Sequence, residues 1–115
     1  MNEHTKGREV AGYKLDLHGA FMRRTSFRCG NLAGANFEGA DCKGADFTGA
    51  NLRGANLSRA NFSNAILVDC DLQDVNLKEA DLRGANLTDA TNLTRVQVQE
   101  ATVDVTTILP SSVSA

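Results

Sequence analysis

Large apolar residues recur along this chain with a period of five. They stand at Leu17, Met22, Phe27, Leu32, Phe37, Cys42, Phe47, Leu52, Leu57, Phe62, Leu67, Leu72, Leu77, Leu82 and Leu87. The register is unbroken over residues 15–89. Two residues before each of these centres the side chain is small in most units, and it is Ala in ten of fifteen. One residue before the centre stands Asp or Asn in twelve of fifteen, the exceptions being Phe21, Ser26 and Ile66. A period of five matches neither the 3.6-residue repeat of a free helix nor the two-residue alternation of a plain strand.

Within each unit, the small residue and the centre lie two apart, which is strand spacing and puts both side chains on one face. The other three residues must then turn the chain before the next unit. Gly19, Gly34, Gly39, Gly44, Gly49, Gly54 and Gly84 all fall at the same unit position, where a corner needs backbone angles that other residues resist. An Asp or Asn before the centre suits such a corner, because its side chain bonds nearby backbone in turns. Repetition of a short strand and a tight corner coils the chain about an axis.

The pattern Ala-(Asp/Asn)-(Leu/Phe)-x-x resembles the pentapeptide-repeat family. The resemblance covers residues 15–89, 75 of 115 residues. It implies an all-β fold, a right-handed quadrilateral β-helix with four units per 20-residue coil. Centres and small residues would fill the interior and the other three positions would face out. Residues 1–14 are then an N-terminal tail and cap, with Val10 to Leu15 covering the first coil. Residues 90–115 are a C-terminal cap. There the register slips after Ala90: Asn92 takes the next centre and Leu93 comes one late. Thr94-Arg95-Val96-Gln97 reads as a capping box. It predicts a short helix over 95–101, followed by an extended segment through Val103–Pro110.

Stacking at intervals of twenty sorts the exterior. One face carries Arg23, Lys43, Ser63 and Arg83 in a row, with Arg24 beside them and Asp41 and Asp81 on the same face. This face reads either as a basic ligand-binding strip or, more simply, as a solvated mixed-charge face. Phe21, Ile66 and Val68 are apolar at outward positions, and the adjacent pair is a candidate contact patch. Phe21, Ile66, Val68, Arg23, Arg24, Lys43 and Arg83 are thus the candidate interaction residues.

Composition narrows the function. The net charge of −2 leaves no basic footprint for nucleic acid. No apolar run approaches the roughly 18 residues of a spanning helix, and the opening residues lack the apolar segment of a signal peptide. The expectation is a cytoplasmic protein with no membrane or nucleic-acid partner. Cys29, Cys42 and Cys70 are an odd number at irregular spacing, which suits free thiols better than a disulfide framework or a zinc site. The two histidines, His4 and His18, have no catalytic neighbours in the register. The glycines lack the Gly-Lys-Ser/Thr ending of a phosphate loop. No enzyme, cofactor or metal is expected.

Three readings of function stay open. The first is a protein-interaction or scaffold module with an unknown protein partner. The second comes from the resemblance, since some members mimic duplex DNA and bind type II topoisomerases, giving quinolone resistance. Short length and mixed charge weigh against it. The third is a purely structural module that self-associates, for instance as a homodimer through a solenoid end. Charge is uneven along the axis: residues 15–59 hold six basic and four acidic side chains (+2), residues 60–89 two basic and six acidic (−4).

Overall fold

The computed structural model describes residues 15–113. All fifteen units share one backbone. The carbonyl of each centre accepts a hydrogen bond from the amide three residues on, as in Ala20 N to Leu17 O at 3.1 Å and Ala50 N to Phe47 O at 2.9 Å. The residue two after the centre has positive φ in every unit. A bonded four-residue turn with its left-handed residue third is a type II β-turn. Glycine fills that place in seven units. Arg24, Cys29, Arg59, Asn64, Asp69, Asp74, Glu79 and Asp89 fill it in the others, at φ 56 to 61.

The Asp/Asn position holds each corner from outside. In all twelve units that have one, its Oδ1 accepts from the amide two residues on, as in Asn36 from Glu38 N at 2.9 Å and Asn61 from Ser63 N at 2.9 Å. Ser26 reaches Arg28 N only at 3.5 Å.

Each extended step pairs in parallel with the step twenty residues on, as Asp16 with Asn36, Asn36 with Asn56, and Asn56 with Asn76. Four corners per twenty residues make a four-sided coil. The first face stacks Leu17, Phe37, Leu57 and Leu77, and the second Met22, Cys42, Phe62 and Leu82. The third stacks Phe27, Phe47, Leu67 and Leu87, and the fourth Leu32, Leu52 and Leu72. Backbone bonds of 2.7–3.1 Å close the ladder on every face.

The interior is dry from Leu32 onward, where every centre and every small residue from Ala35 is buried. In the first coil Leu17, Met22 and Phe27 are only partly buried. Not all fifteen centres are therefore full core: among the described residues the first coil has a neighbour on one side only, and of its centres Leu32 alone is buried. The expectation that Val10 to Leu15 covers this end lies mostly outside the described residues, and Leu15 itself is exposed. Four phenylalanines form one cluster through the early coils. Phe27 stacks on Phe47 at 4.7 Å, and Phe37 meets both edge-on at 5.8 Å. Phe62 closes the group, 5.3 Å from Phe47. Ser58, at an outward position, is nonetheless buried, with its hydroxyl donating to Asn56 Oδ1 at 2.6 Å.

The slip after Ala90 is resolved by Asn92, which turns left-handed at φ 64 and stays exposed while Leu93 enters the core. Helix α1 follows at Arg95–Glu100, with Ala101 as its C-cap rather than its last residue. Its capping box is formed: Gln97 N donates to Thr94 Oγ1 at 3.2 Å, and Thr94 N donates to Gln97 Oε1 at 2.7 Å. Gln97 also closes the solenoid, donating through Nε2 to Leu72 O at 3.3 Å and Val75 O at 3.0 Å. The segment after the helix is not one extended run. Thr102 pairs with Asp81 and Ile108 with Asn86. A turn separates them because Asp104 Oδ1 accepts from Thr106 N at 2.9 Å, and a 3-10 turn at Ser111–Val113 ends the described chain. The cap therefore covers the second and third faces strand-fashion and the first with a helix.

Candidate interaction surfaces

The second face shows how an arginine row is neutralised. Arg23 donates from Nε to Asp41 Oδ2 at 2.7 Å, eighteen residues on. The same offset pairs Arg28 with Asp46 at 3.1 Å on the third face and Arg53 with Asp71 at 3.1 Å on the fourth. The offset is set by the coil: a residue one after a centre lies over the residue one before the centre of the next coil. Arg83 instead forks onto Asp81 beside it, at 2.9 and 2.8 Å. Arg59 bridges Glu38 at 2.9 Å and Glu79 at 3.3 Å along the first face. These exposed pairs are worth little each, about 0.2–1 kcal/mol or less.

The carboxylates register the pairing. The Arg23 hydrogen bond holds Asp41 below the ordinary carboxylate range, and the Arg83 hydrogen bond does the same for Asp81. Asp46 is lowered chiefly by Thr48, whose hydroxyl and amide both donate to it, with Arg28 adding. For Asp71, burial raises the value, but Asn92, Gln73 N and Arg53 together outweigh it.

Of the four cations proposed from the sequence as a strip, the structure ties down Arg23 and Arg83. Arg24 and Lys43 make no ion pair among the described residues. With Arg23, Gly44 and Asn64 they line a concavity of about 150 Å³.

The apolar departures fall on two faces. Phe21 is 86% exposed on the second face and Ile66 37% on the third, with Val68 partly covered beside Ile66. Both Phe21 and Ile66 occupy the position that elsewhere carries Asp or Asn, so Arg23 N and Val68 N lose the side-chain acceptor every Asp/Asn unit supplies. Phe21 is not joined to Ile66 and Val68: two coils and a corner intervene. Ile108, 51% exposed, lies two rungs beyond Ile66 in the same pairing column, with Asn86 between them. Sequence reasoning missed Ile108 because it enters the column from the cap, outside the five-residue register; no spacing signal points to it. With Thr48 and Thr88 these residues make the outward side of the third face largely β-branched, interrupted by Asn86 and bordered by the ion-paired Asp46 beside Thr48. At its corner edge lie Asp69 and Asp89.

The remaining chemistry is structural. Burial pushes the Cys42 and Cys70 thiols up to about 12. The Cys70 thiol donates to Phe47 O at 2.8 Å, and Cys29 is exposed. His18 bonds Asp16 at 2.8 Å on the surface, which raises its pKa. Among the described residues no three His, Cys, Asp or Glu converge as a metal site, and no helix is long and apolar enough to cross a membrane.

Comparison with known proteins agrees with this geometry. The family of pentapeptide repeats matches in eight copies, over residues 14–41, 31–64, 55–95 and 65–103. No curated protein matches the chain. A crystal structure of a pentapeptide repeat protein from the Arabidopsis thaliana thylakoid lumen is similar at 34% identity and a TM-score of 0.63, over 72% of this chain and 60% of that one. A pentapeptide repeat protein from Nostoc PCC 7120 is similar at 29% identity and a TM-score of 0.53, over 90% of this chain and 81% of that one. The chain thus spans well under two thirds of the Arabidopsis protein's length. Such proteins form right-handed quadrilateral β-helices, and the parallel twenty-residue ladder with four corners per coil is of that four-sided kind. The chain belongs to the pentapeptide-repeat family.

Proposed function

We propose that this protein is a non-enzymatic interaction module that docks a protein partner on its third face. Ile66 carries the reading. It replaces a residue type that supplies a corner hydrogen bond, worth about 0.5–1.5 kcal/mol, and exposes an apolar side chain in its place. A position that gives up local stability without a gain inside the fold is where function is expected. Val68 extends the patch, Ile108 adds an apolar group beyond Asn86, and charge stays at its borders, at Asp46, Asp69 and Asp89. The partner surface is flat and apolar, rimmed by groups that can meet Asp69 and Asp89. The unpaired thiols support a reducing, cytoplasmic setting.

Affinity capture with the wild type, Ile66→Asp and Phe21→Asp tests this. The expected result is a specific partner retained by the wild type and Phe21→Asp and lost with Ile66→Asp. An identical set of proteins captured by all three sinks the assignment. Light scattering over a dilution series distinguishes a second copy of the chain as the partner. The duplex-mimic reading has less support, since residues 15–59 carry a net +2; unimpaired gyrase supercoiling at micromolar protein removes it.

A further inference from the structure

We propose that the concavity between Arg24, Lys43 and Asn64 on the second face is a binding site for a phosphate dianion, free or as the phosphoryl group of a small ligand. Three observations converge on it, and none depends on the third-face patch.

The first is the absence of the eighteen-residue pairing at Lys43, where, unlike at Lys78, a second cation without an ion pair among the described residues stands beside it. Arg23, Arg28 and Arg53 each find an aspartate eighteen residues on. For Lys43 that position is Asn61; Arg24 stands at a corner, and no carboxylate follows it in the column Gly44, Asn64, Gly84. The carboxylate beside them is spent: Asp41 gives Oδ2 to Arg23 at 2.7 Å and Oδ1 to Lys43 N at 3.3 Å. The other acids near Lys43 are also engaged. Asp81 is held in a fork by Arg83, and Asp104 Oδ1 accepts from the amide and hydroxyl of Thr106. Arg23, Arg24, Lys43 and Arg83 against Asp41, Asp81 and Asp104 leave a local charge of +1 in a chain of net −2.

The second is the corner column Arg24, Gly44, Asn64, Gly84. Arg24 sits left-handed at φ 56, and a Cβ on Gly44 would come within 3.4 Å of its Cγ. Gly44 therefore gives the Arg24 stem room to lie down along the column toward Lys43. One coil lower, a Cβ on Gly84 would overlap Asn64 Oδ1. Asn64 thus turns its carbonyl oxygen down toward Gly84, which leaves its amide group, a donor, for the concavity above.

The third is size. A space of about 150 Å³ is well below the roughly 300–1,000 Å³ of sites for drug-sized ligands, and suits one tetrahedral oxyanion. The donors match: a planar guanidinium fork, a mobile ammonium and an amide. Two cations without an ion pair among the described residues favour a dianion over a carboxylate.

Amide chemical shifts followed by NMR during titration with inorganic phosphate, at constant ionic strength, provide the test. Saturable shifts are expected at Gly44 and Asn64, with acetate producing none. Lys43→Gln and Arg24→Gln should each weaken binding about tenfold, the loss of one charge-assisted hydrogen bond. Arg53→Gln, on the fourth face, should leave binding unchanged. All three substitutions are at exposed positions, and the undisturbed shifts of distant residues will report that each variant is folded. Shifts that grow linearly without saturating, or that saturate with unchanged affinity in both Lys43→Gln and Arg24→Gln, overturn the site.

Discussion

Two stretches of this solenoid share a backbone and little else. From Gly34 to Gly54 five consecutive corners are glycine, at φ 67 to 72. From Arg59 to Glu79 five consecutive corners are Arg59, Asn64, Asp69, Asp74 and Glu79, at φ 57 to 61. The early stretch holds Phe37 and Phe47 of the phenylalanine cluster; the later one has leucine at every centre but Phe62. The ladder and its type II turns impose the corner angle whatever residue is present. Glycine is one way to meet that demand. The other is to accept strain, about 1–2 kcal/mol for an ordinary side chain and less for Asn or Asp, and gain an outward side chain. The early corners are smooth, and the later ones project polar groups.

The largest test of this contrast lies in the core. Phe47 and Leu67 occupy one interior column and are both fully buried. Phe47→Ala should cost about 3–5 kcal/mol and Leu67→Ala about 2–5 kcal/mol, read from urea denaturation. Phe47 also loses its ring contacts with Phe27, Phe37 and Phe62, worth about 0.5–1.5 kcal/mol per pair. Its substitution should therefore be the more damaging. Equal costs would mean the aromatic cluster only fills space.

Corner substitutions come next. Gly39→Ala meets nothing within 4 Å, so it reports backbone strain alone, about 1–2 kcal/mol. Gly84→Ala adds a collision with Asn64 and should cost more. Asn64→Gly in the Gly84→Ala background should recover the difference, and a double-mutant cycle measures it. The reverse exchange, Glu79→Gly, should lie within about 1 kcal/mol of the wild type, because relief of strain is offset by the freedom glycine gains in the unfolded chain.

These corners also mark where the sequence could be read and where it could not. The period of five identified the inward positions and all seven glycine corners, while the twenty-residue coil came from the family resemblance. It could not show that Arg24, Cys29 or Glu79 are equally left-handed, because nothing about an arginine or a glutamate announces positive φ; only the ladder compels it. Ion pairing was hidden for a related reason. Arg23 and Asp41 were visible on one face, but the eighteen-residue contact depends on how side chains lean between coils. The cap was half legible: the Thr94–Gln97 box is local, whereas the turn at Asp104 interrupts a β-branched run that reads as continuous. Among the candidate residues, the sequence gathered Arg23, Arg24, Lys43 and Arg83 into one strip, and the structure divides them into two paired and two unpaired.

A smaller effect probes the patch from the stability side. Ile66→Asn restores the corner acceptor for Val68 N, as Asn61 does for Ser63 N. It should raise stability by about 0.5–1 kcal/mol while abolishing capture of the partner. A less stable Ile66→Asn would show that Ile66 is packing rather than display.

The smallest effect is the response to acid. The paired carboxylates Asp41, Asp46, Asp71 and Asp81 all have folded values below the ordinary carboxylate range. A group lowered by folding binds its proton more readily in the unfolded chain, so its contribution is present above the unfolded value, about 3.9. It is lost as pH falls through the folded value. Stability should therefore be flat from neutral pH to about 5 and decline below about 4. These groups are exposed and screened, so the decline should be shallow and should steepen at low salt. Arg23→Gln and Arg53→Gln, made together, release Asp41 and Asp71 from their cations on the second and fourth faces. The acid limb of the double variant should be flatter than that of the wild type. An unchanged limb would assign the acid response to the corner amide bonds, which Asp41 and Asp71 keep when their arginines are gone.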